Sequence, residues 1–518
     1  MFGLQYYIFS HTGLLLCLSG SYLEWLLAVA FVGGIPAPLN YRWSFEEVQT
    51  ALEVLRPVMF VFDESCDIWY SALQKNSLSS VRWNVYLGDS PSPVSQIGNA
   101  LTTEILKKKT SGVFPIFDYR WAPEGIALIC FTSGTTGKPK GVTITHTALI
   151  IQSLAKIAIV GYNADDIYLH TAPLCHIGGI SSGMAMLMVG ACHVFVPKFE
   201  VKSVADVVEQ HQVSSLITVP TMMADLISFI RNHKTVRVGE SLTKILNGGG
   251  TLSIELCRDA SRVFHNAKLL SAYGMTETCS SLTFMTFYEP KNEKSAEPLQ
   301  MNVEVSSDSI NQMGSVCVGK PAPHVELRIS SEGSSPIGRI LTRGPHVMLK
   351  YFNPVLVKPT SGSGDHGWLD TGDIGWISDS GDLWLTGRSK DRIKSGGENI
   401  YPEEVEAILS KHPGVVRVVV VGIPDARLSE MVICCVQIKE KWTWIDQDWN
   451  HLSARMEFLL STEILQNYCR QKNLTRFKIP KVFLLWRKPF PVTSSGKLRR
   501  DEIKREAMSK GQSLSSKL

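Results

Sequence analysis

Residues Ile129–Val142 read ICFTSGTTGKPKGV, and the reading of this stretch decides the fold. An apolar run, Gly125–Phe131, stops at a segment of hydroxyls, glycines and the lysines Lys138 and Lys140. Residues Val142–Thr145 then read as a short extended piece and His146–Ile159 as a helix. A strand that feeds a Gly/Ser/Thr loop makes a phosphate cradle. Glycine accepts the dihedrals that turn backbone N–H groups inward, and hydroxyls and lysines add donors and charge. The loop is not a Walker motif, because Gly137-Lys138 is followed by Pro139 and Thr132 stands where that motif needs its first glycine. A surface turn is the competing reading of any short Gly/Ser/Thr loop. A stretch of this length and order is seldom one.

Working outward, 518 residues exceed one ordinary core, so the length favours several domains. Apolar content of 44% and charged content of 19% describe a globular enzyme and exclude a disordered chain. A net charge of +4, with no basic stripe, argues against a nucleic-acid partner. The eleven cysteines show no paired metal spacing, and Cys434-Cys435 sit in an apolar run, so they read as reduced and structural. No twenty-residue apolar span occurs, and the greasy N-terminal stretch lacks the basic start of a signal peptide. The chain finishes Ser516-Lys517-Leu518, the peroxisomal import tripeptide, which implies an import receptor as a partner. A plastid location is open to forms with a different N-terminus.

Along the chain, Tyr22–Gly33 and Ser44–Leu55 have helical spacing, Val58–Val61 reads as a strand, and Asn76–Thr110 as a polar, loop-rich excursion. Short buried-strand candidates at Ile167–Thr171, Cys192–Val196, Ser215–Val219 and Lys244–Asn247 alternate with helices at Val201–Gln210, Thr221–Arg231 and Ser253–Phe264. That alternation predicts an α/β fold with a helix-covered parallel sheet. From Gly314 to Leu385 the texture turns to strands and turns, a β-rich subdomain. Gly387–Asp391 is the natural break. Beyond it a smaller α+β domain is expected, with helices at Pro402–His412, Thr462–Lys472 and Lys497–Ala507 and strands at Val415–Val421 and Glu430–Gln437. The expected division is 1–389 for the large domain, 390–508 for a mobile lid and 509–518 for a tail.

The phosphate loop TSGTTGKPKG resembles that of the adenylate-forming superfamily of acyl-CoA synthetases, luciferases and peptide-synthetase adenylation domains. SAYGMTE (Ser271–Glu277), WLDTGDIG (Trp368–Gly375), GRSKDRIKSGGENIYPEEVE (Gly387–Glu406) and TSSGKLRRDE (Thr493–Glu502) follow in that superfamily's order. The resemblance implies ATP, Mg²⁺ and a thiol, usually coenzyme A, as reactants. A carboxylate attacks the α-phosphate, giving an acyl-adenylate and pyrophosphate, and the thiol then displaces AMP. A carboxylate is a poor nucleophile beside a polyanion, so charge must be neutralised and the groups held in line.

By the same resemblance, Thr132, Ser133, Gly134, Thr135, Thr136, Gly137 and Lys140 would enclose the β- and γ-phosphates. Thr276 would touch the α-phosphate, Glu277 would hold Mg²⁺, and Tyr273 would stack on adenine. Gly248, Gly249 and Gly250 would wall the adenine and acyl pocket, Asp373 would accept the ribose hydroxyls, and Arg388 would contact the nucleotide. Lys497 matches the adenylation lysine, whereas its neighbours Lys481, Arg499 and Arg500 read as an ordinary solvated basic stretch. Lys390 matches a hinge about which the small domain rotates between half-reactions, swapping Lys497 for Ser395-Gly396-Gly397-Glu398 at the thiol tunnel. His176, in PLCHIGGISSGM, stands where the family gates or lines the acyl site, although a lone histidine beside apolar residues is as readily a core residue.

YLEWLLAVAFVGGIPAPLNYRWS (Tyr22–Ser44), QSLAKIAIVGY (Gln152–Tyr162), MAMLMVGACHVFVPKF (Met184–Phe199), LNGGGTLS (Leu246–Ser253) and SSLTFMT (Ser280–Thr286) resemble the plant-type 2-succinylbenzoate–CoA ligases of phylloquinone synthesis. That resemblance implies a small dicarboxylic keto acid, activated on its succinyl carboxylate. His176, Ser181, Ser182 and Gly248–Gly250 would form a compact, polar-edged pocket, and no residue stands out to pair the second carboxylate. A coumarate-like or medium-chain acyl-CoA ligase is the alternative. A peptide-synthetase module would carry a carrier domain after Lys497, where this sequence stops. Met1–Ser19 aligns with nothing in the family, so the sequence reads as a shortened form whose helix Tyr22–Gly33 lacks a partner for Leu23, Leu26, Leu27 and Phe31.

Overall fold

The computed structural model describes residues 11–16, 18–66, 80–87, 100–102, 122–133, 139–233, 238–250, 252, 254–290, 316–331, 336–352, 367–388, 393–400, 402–445, 458–491, 498 and 500–515. The chain divides into two compact units, one of residues 1–132 and 139–389, the other of residues 133–138 and 390–518. Among the described residues no helix is long and apolar enough to cross a membrane.

The larger unit opens with β1 (His11–Leu15), α1 (Gly20–Phe31), β2 (Ile35–Pro38), α2 (Phe45–Leu55), β3 (Met59–Asp63), β4 (Trp83–Leu87) and β5 (Ala100–Thr102). The five strands form a parallel sheet in the order β2-β1-β3-β4-β5. Two expectations change here. His11–Leu15 is an internal strand with Leu14 and Leu15 fully buried, so part of Met1–Ser19 supplies sheet that the sequence reading denied it. Within the excursion Asn76–Thr110, the stretches at β4 and β5 are strands. Helix α1 is capped by Ser19, whose hydroxyl accepts from the Tyr22 N–H at 3.2 Å. Its Leu23 and Leu26 are buried, whereas Leu27 is 39% and Phe31 55% exposed. Ser44 and Glu47 close a capping box at the start of α2.

Next come β6 (Ile126–Ser133), β7 (Pro139–Thr145), α3 (His146–Lys156), β8 (Ile167–His170), α4 (Ile177–Val189) and β9 (Cys192–Phe195). They are followed by α5 (Val201–His211), β10 (Ser215–Thr218), α6 (Pro220–Asn232), β11 (Lys244–Asn247), α7 (Ile254–Val263), β12 (Lys268–Met275) and β13 (Ser280–Tyr288). Strands β9-β8-β10-β11-β12 run parallel. Successive side chains of a strand point to opposite faces, and β8, β10, β11 and β12 divide their apolar pairs accordingly. Leu169, Leu216, Ile245 and Leu269 join one core with Val204, Val208, Met223, Leu226, Leu256 and Ala260 of α5, α6 and α7. Their neighbours Tyr168, Ile217, Leu246 and Leu270 join the other, with Ala155 of α3 and Ala185 and Met186 of α4. A continuous apolar strand is thus buried on both sides, as a parallel sheet requires.

The β-rich part adds β14 (Val316–Pro321), β15 (Glu326–Ser330), β16 (Gly338–Arg343), β17 (Tyr351–Phe352), β18 (Leu369–Ile377) and β19 (Leu383–Arg388). It does not form a sheet of its own. Antiparallel pairing of β13 to both β12 and β14 joins it to the parallel strands in one eleven-stranded path. Strand β17 pairs instead with β7.

The smaller unit contains β20 (Ile393–Ser395), β21 (Glu398–Ile400), α8 (Pro402–Leu409), β22 (Val415–Asp425), β23 (Ser429–Ile438), α9 (Thr462–Gln471), β24 (Val482–Leu485) and α10 (Arg500–Ser515). Its sheet runs β21-β20-β23-β22, with β24 parallel to β23. Cys434 faces one core and Cys435 the other. Helix α10 starts at Arg500 rather than Lys497 and runs through most of the stretch expected as a tail. Arg500 is not a solvated charge: its guanidinium donates to both carboxylate oxygens of Glu406 at 2.7 and 2.9 Å.

Candidate active site

A sheet covered on both faces has room for polar chemistry only beyond its strand ends. The expected site residues of the larger unit follow that rule. His176 comes after β8, Gly248–Gly250 after β11, and Thr276 and Glu277 after β12. At the end of β11, buried Asn247 donates through Nδ2 to Thr218 Oγ1 at 3.0 Å, and the Gly248 N–H donates to the Thr218 carbonyl at 2.9 Å. The Asn247 Oδ1 has no partner among the described residues. Gly249 takes φ of +75°, the left-handed region that favours glycine.

Strand β12 ends in a single tight turn, Thr276–Thr278, fixed by the Thr278 hydroxyl against the backbone of Met275. Glu277 is buried in this turn, and Tyr351 donates its hydroxyl to Glu277 Oε1 at 2.9 Å. The Lys140 ammonium lies 5.6 Å from the centre of the Tyr351 ring. Residues 348–352 strap these groups together. The Met348 N–H donates to the Glu277 carbonyl, Leu349 N–H to the Thr143 carbonyl, and the Thr143 hydroxyl to the Lys350 carbonyl at 2.6 Å. Sequence reading missed Tyr351 because nothing in its local pattern marks a partner so far back in the chain. The second carboxylate oxygen of Glu277, Oε2, is a hard donor of the kind a divalent cation takes. No cluster of three or more His, Cys, Asp or Glu side chains converges among the described residues. A divalent ion here would therefore need further oxygens from a ligand.

The structure brings Tyr273 and Asp373 together, from strands far apart in sequence. The Tyr273 hydroxyl donates to Asp373 Oδ2 at 2.7 Å, and both residues are buried. The Asp373 backbone is fixed by the Thr371 hydroxyl and by pairing of β18 with β19, where its register partner is Arg388. His176 caps α4 and its Nε2 stands 3.1 Å from Arg42 Nη2, a neighbour from the N-terminal region that sequence reading left unassigned.

One expectation is overturned. Ser181 and Ser182 do not edge a pocket; both are fully buried and accept from the ammonium of Lys156 at 2.7 and 2.9 Å. Adjacent on α4, their hydroxyls reach the same neighbour on α3, which is why a surface reading of SSG failed. Burial pushes Lys156 down to about 7, against an opposing pull from Cys279. Burial holds the Cys279 thiol up at about 12, against the opposing influence of Lys156.

Thr132 is the penultimate residue of β6 and Lys140 lies in β7, while Ser133 and Arg388 are described by backbone alone. Gly134, Thr135, Thr136, Gly137, Lys390 and Lys497 lie outside the described residues. In the smaller unit, Ser395 and Glu398 are buried and flank a turn in which Gly396 and Gly397 take positive φ.

The AMP-binding enzyme family matches residues 11–352, and the AMP-binding enzyme C-terminal domain matches residues 404–497. The first match starts at β1, so His11–Ser19 falls within the family pattern, contrary to the reading of that segment as unrelated. The chain is 51% identical over 507 residues to a protein of Arabidopsis thaliana named 2-succinylbenzoate–CoA ligase, chloroplastic/peroxisomal, covering 96% of this chain and 88% of that one. The amide bond synthetase McbA of Marinactinospora thermotolerans has a similar structure, with TM-score 0.76, 25% identity and coverage of 96% of this chain and 90% of that one. The o-succinylbenzoate CoA synthetase of Bacillus subtilis, as a double mutant bound to a product analogue, gives TM-score 0.70 at 25% identity, covering 96% and 88%. The same enzyme bound to ATP and magnesium gives 0.60 at 27%, covering 96% and 89%.

The Lys156 site makes a stability prediction. Its folded value of about 7 lies below the ordinary 10.5 of an unfolded lysine. Between those values the unfolded chain binds more protons, so stability rises with pH through that window, by up to about 1.4 kcal/mol per pH unit. Lys156→Met removes this rise. In urea unfolding at pH 7.5 and 9.5, the wild type should gain on the variant at the higher pH; an unchanged difference would show that Lys156 does not titrate in this range.

Proposed function

The chain belongs to the AMP-binding, adenylate-forming enzymes, and from that premise we propose that it is a ligase forming 2-succinylbenzoyl-CoA from 2-succinylbenzoate, ATP and coenzyme A. The observation that carries this reading is the 51% identity to the Arabidopsis ligase across 96% of the chain. The reaction balances in two steps. An oxygen of the succinyl carboxylate bonds to the α-phosphorus of ATP as pyrophosphate leaves. The thiolate of coenzyme A then bonds to the acyl carbon as AMP leaves.

The geometry suits these roles. Glu277, its rotamer held by Tyr351, would bind Mg²⁺ together with phosphate oxygens, and Mg²⁺ there would neutralise the charge that a carboxylate nucleophile must approach. Thr276 would meet the α-phosphate, and Thr132, Ser133, Gly134, Thr135, Thr136, Gly137 and Lys140 would receive the β- and γ-phosphates. The hydrogen bond from Tyr273 fixes one oxygen of Asp373, orienting that carboxylate for a ribose diol while the Tyr273 ring borders the adenine. Arg388 would contact the nucleotide, Gly248–Gly250 would wall the acyl site and His176 would line it. Lys497 would serve adenylation, and rotation about Lys390 would bring Ser395–Glu398 to the thiol.

Thioester formation assayed across 2-succinylbenzoate, coumarate, benzoate and medium-chain fatty acids tests the substrate. The first should lead in kcat/KM; a clear preference for another acid would replace the substrate and keep the ligase class. Lys497→Ala should abolish adenylate formation yet leave thiolysis of supplied acyl-adenylate largely intact, and equal loss of both half-reactions would remove that lysine from its role. For location we propose the peroxisome, from the terminal Ser516-Lys517-Leu518 and one of the two compartments in the Arabidopsis name. A fluorescent fusion lacking Leu518 should spread through the cytosol; unchanged puncta would refute the signal.

A further inference from the structure

Lys156 and Lys478 are both fully buried, and their surroundings differ. Lys478 meets the Glu404 carboxylate at 2.9 Å. Lys156 meets no carboxylate among the described residues: it donates to Ser181 Oγ at 2.7 Å, to Ser182 Oγ at 2.9 Å and to the Gly178 carbonyl at 3.4 Å. Hydroxyls satisfy N–H groups but do not neutralise a charge, so a buried ammonium held only by serines is an open electrostatic position. Burial accordingly pushes Lys156 down to about 7, where a neighbouring anion decides whether it is charged.

Its place in the fold links it to the acyl side of the site. Helix α4, which supplies all three acceptors, begins directly after His176. The Gly178 contact is at the outer limit of a hydrogen bond, so the third N–H is the one a better acceptor could take. Gly178 is half-buried, and a Cβ added there would meet only Ile217 Cδ1, at 3.9 Å, so the space beside it is open. One helical turn before Lys156, on the same face of α3, Gln152 is fully buried. Its Oε1 accepts from His324 Nε2 at 3.2 Å, whereas its Nε2 donor has no partner among the described residues.

We propose that Lys156, with Gln152 as a second donor, is the counter-ion for the ring carboxylate of the dicarboxylic substrate, reached past Gly178. The inference rests on the substrate assignment above and supplies the partner for the carboxylate that is not activated. A carboxylate oxygen takes the place of the Gly178 carbonyl, and the succinyl carboxylate stays free for adenylation. A monocarboxylic acid of the same shape leaves the ammonium without a counter-ion, and the site selects against it. Lys156 is therefore a specificity residue rather than a catalytic one.

The test compares 2-succinylbenzoate with 4-oxo-4-phenylbutanoate, the same acid without its ring carboxylate, in the full-length protein. In the wild type the diacid should be preferred in kcat/KM, and Lys156→Met should lower that preference by roughly tenfold or more, through KM of the diacid. Gly178→Val, which narrows the route and leaves the lysine in place, should lower it too and keeps the test decisive where Lys156→Met fails to fold. A preference that stays constant while both acids decline together would make Lys156 a packing residue and overturn the proposal. If the wild type does not use 2-succinylbenzoate, the substrate assignment fails and the lysine with it. If it does and the variants keep the preference, only the lysine fails.

Discussion

Burial of one sheet on both faces is the constraint from which the rest of the larger unit follows. Strands β8, β10, β11 and β12 each give one apolar residue to either core, through Leu169 and Tyr168, Leu216 and Ile217, Ile245 and Leu246, Leu269 and Leu270. The middle of these strands is taken up by the two cores. Chemistry is displaced to their carboxyl ends, where glycines and tight turns replace the ladder. Asn247 stands opposite Ser271, so Gly248 leaves β11 beside Ala272, and β12 runs on from there to the turn that carries Thr276 and Glu277. The site is thus a product of sheet register before it is a set of side chains.

Register alone does not orient a carboxylate. Glu277 is mostly withdrawn from water and must present an oxygen in a fixed direction, and the strap at residues 348–352 provides that constraint. Thr143 is bonded three times to Lys350, its N–H and hydroxyl donating to the Lys350 carbonyl and its hydroxyl accepting from the Lys350 N–H, and β17 pairs with β7. The strap therefore ties β7, which carries Lys140, to the turn that carries Glu277. Tyr351 serves both ends, donating to the carboxylate and lying beneath the Lys140 ammonium. Cation and carboxylate are thus held on a common scaffold through one tyrosine.

Much of this was legible in the sequence, and the remainder fails for identifiable reasons. Strands and helices from Ile167 to Val263 follow the apolar periods to within a residue or two, since a two-faced sheet writes its pattern locally. The motifs likewise stand in the order their chemistry needs. What sequence could not supply was pairing across long separations: Tyr273 with Asp373, Tyr351 with Glu277, Arg42 with His176. It also misjudged environment. Ser181 and Ser182 looked like pocket polar groups because nothing local shows that α3 brings a lysine over them. His11–Leu15 looked foreign because a strand this short carries little pattern beyond its burial.

The smaller unit solves a related problem, that of anchoring a segment beside a charged motif. Glu406, on α8, accepts the Val420 N–H at 2.7 Å and both arms of Arg500, while Arg500 also donates to the Val420 carbonyl at 2.9 Å. One carboxylate and one guanidinium thereby join a helix, the central part of β22 and the first residue of α10. A bidentate pair of this kind is stronger and more directional than a lysine contact would be. It sits three residues past Lys497, so the start of α10 is fixed to the sheet at the point where the motif TSSGKLRRDE meets the fold. An arginine that sequence alone assigns to solvent thus does mechanical work. It joins three elements of the smaller unit through one bidentate contact.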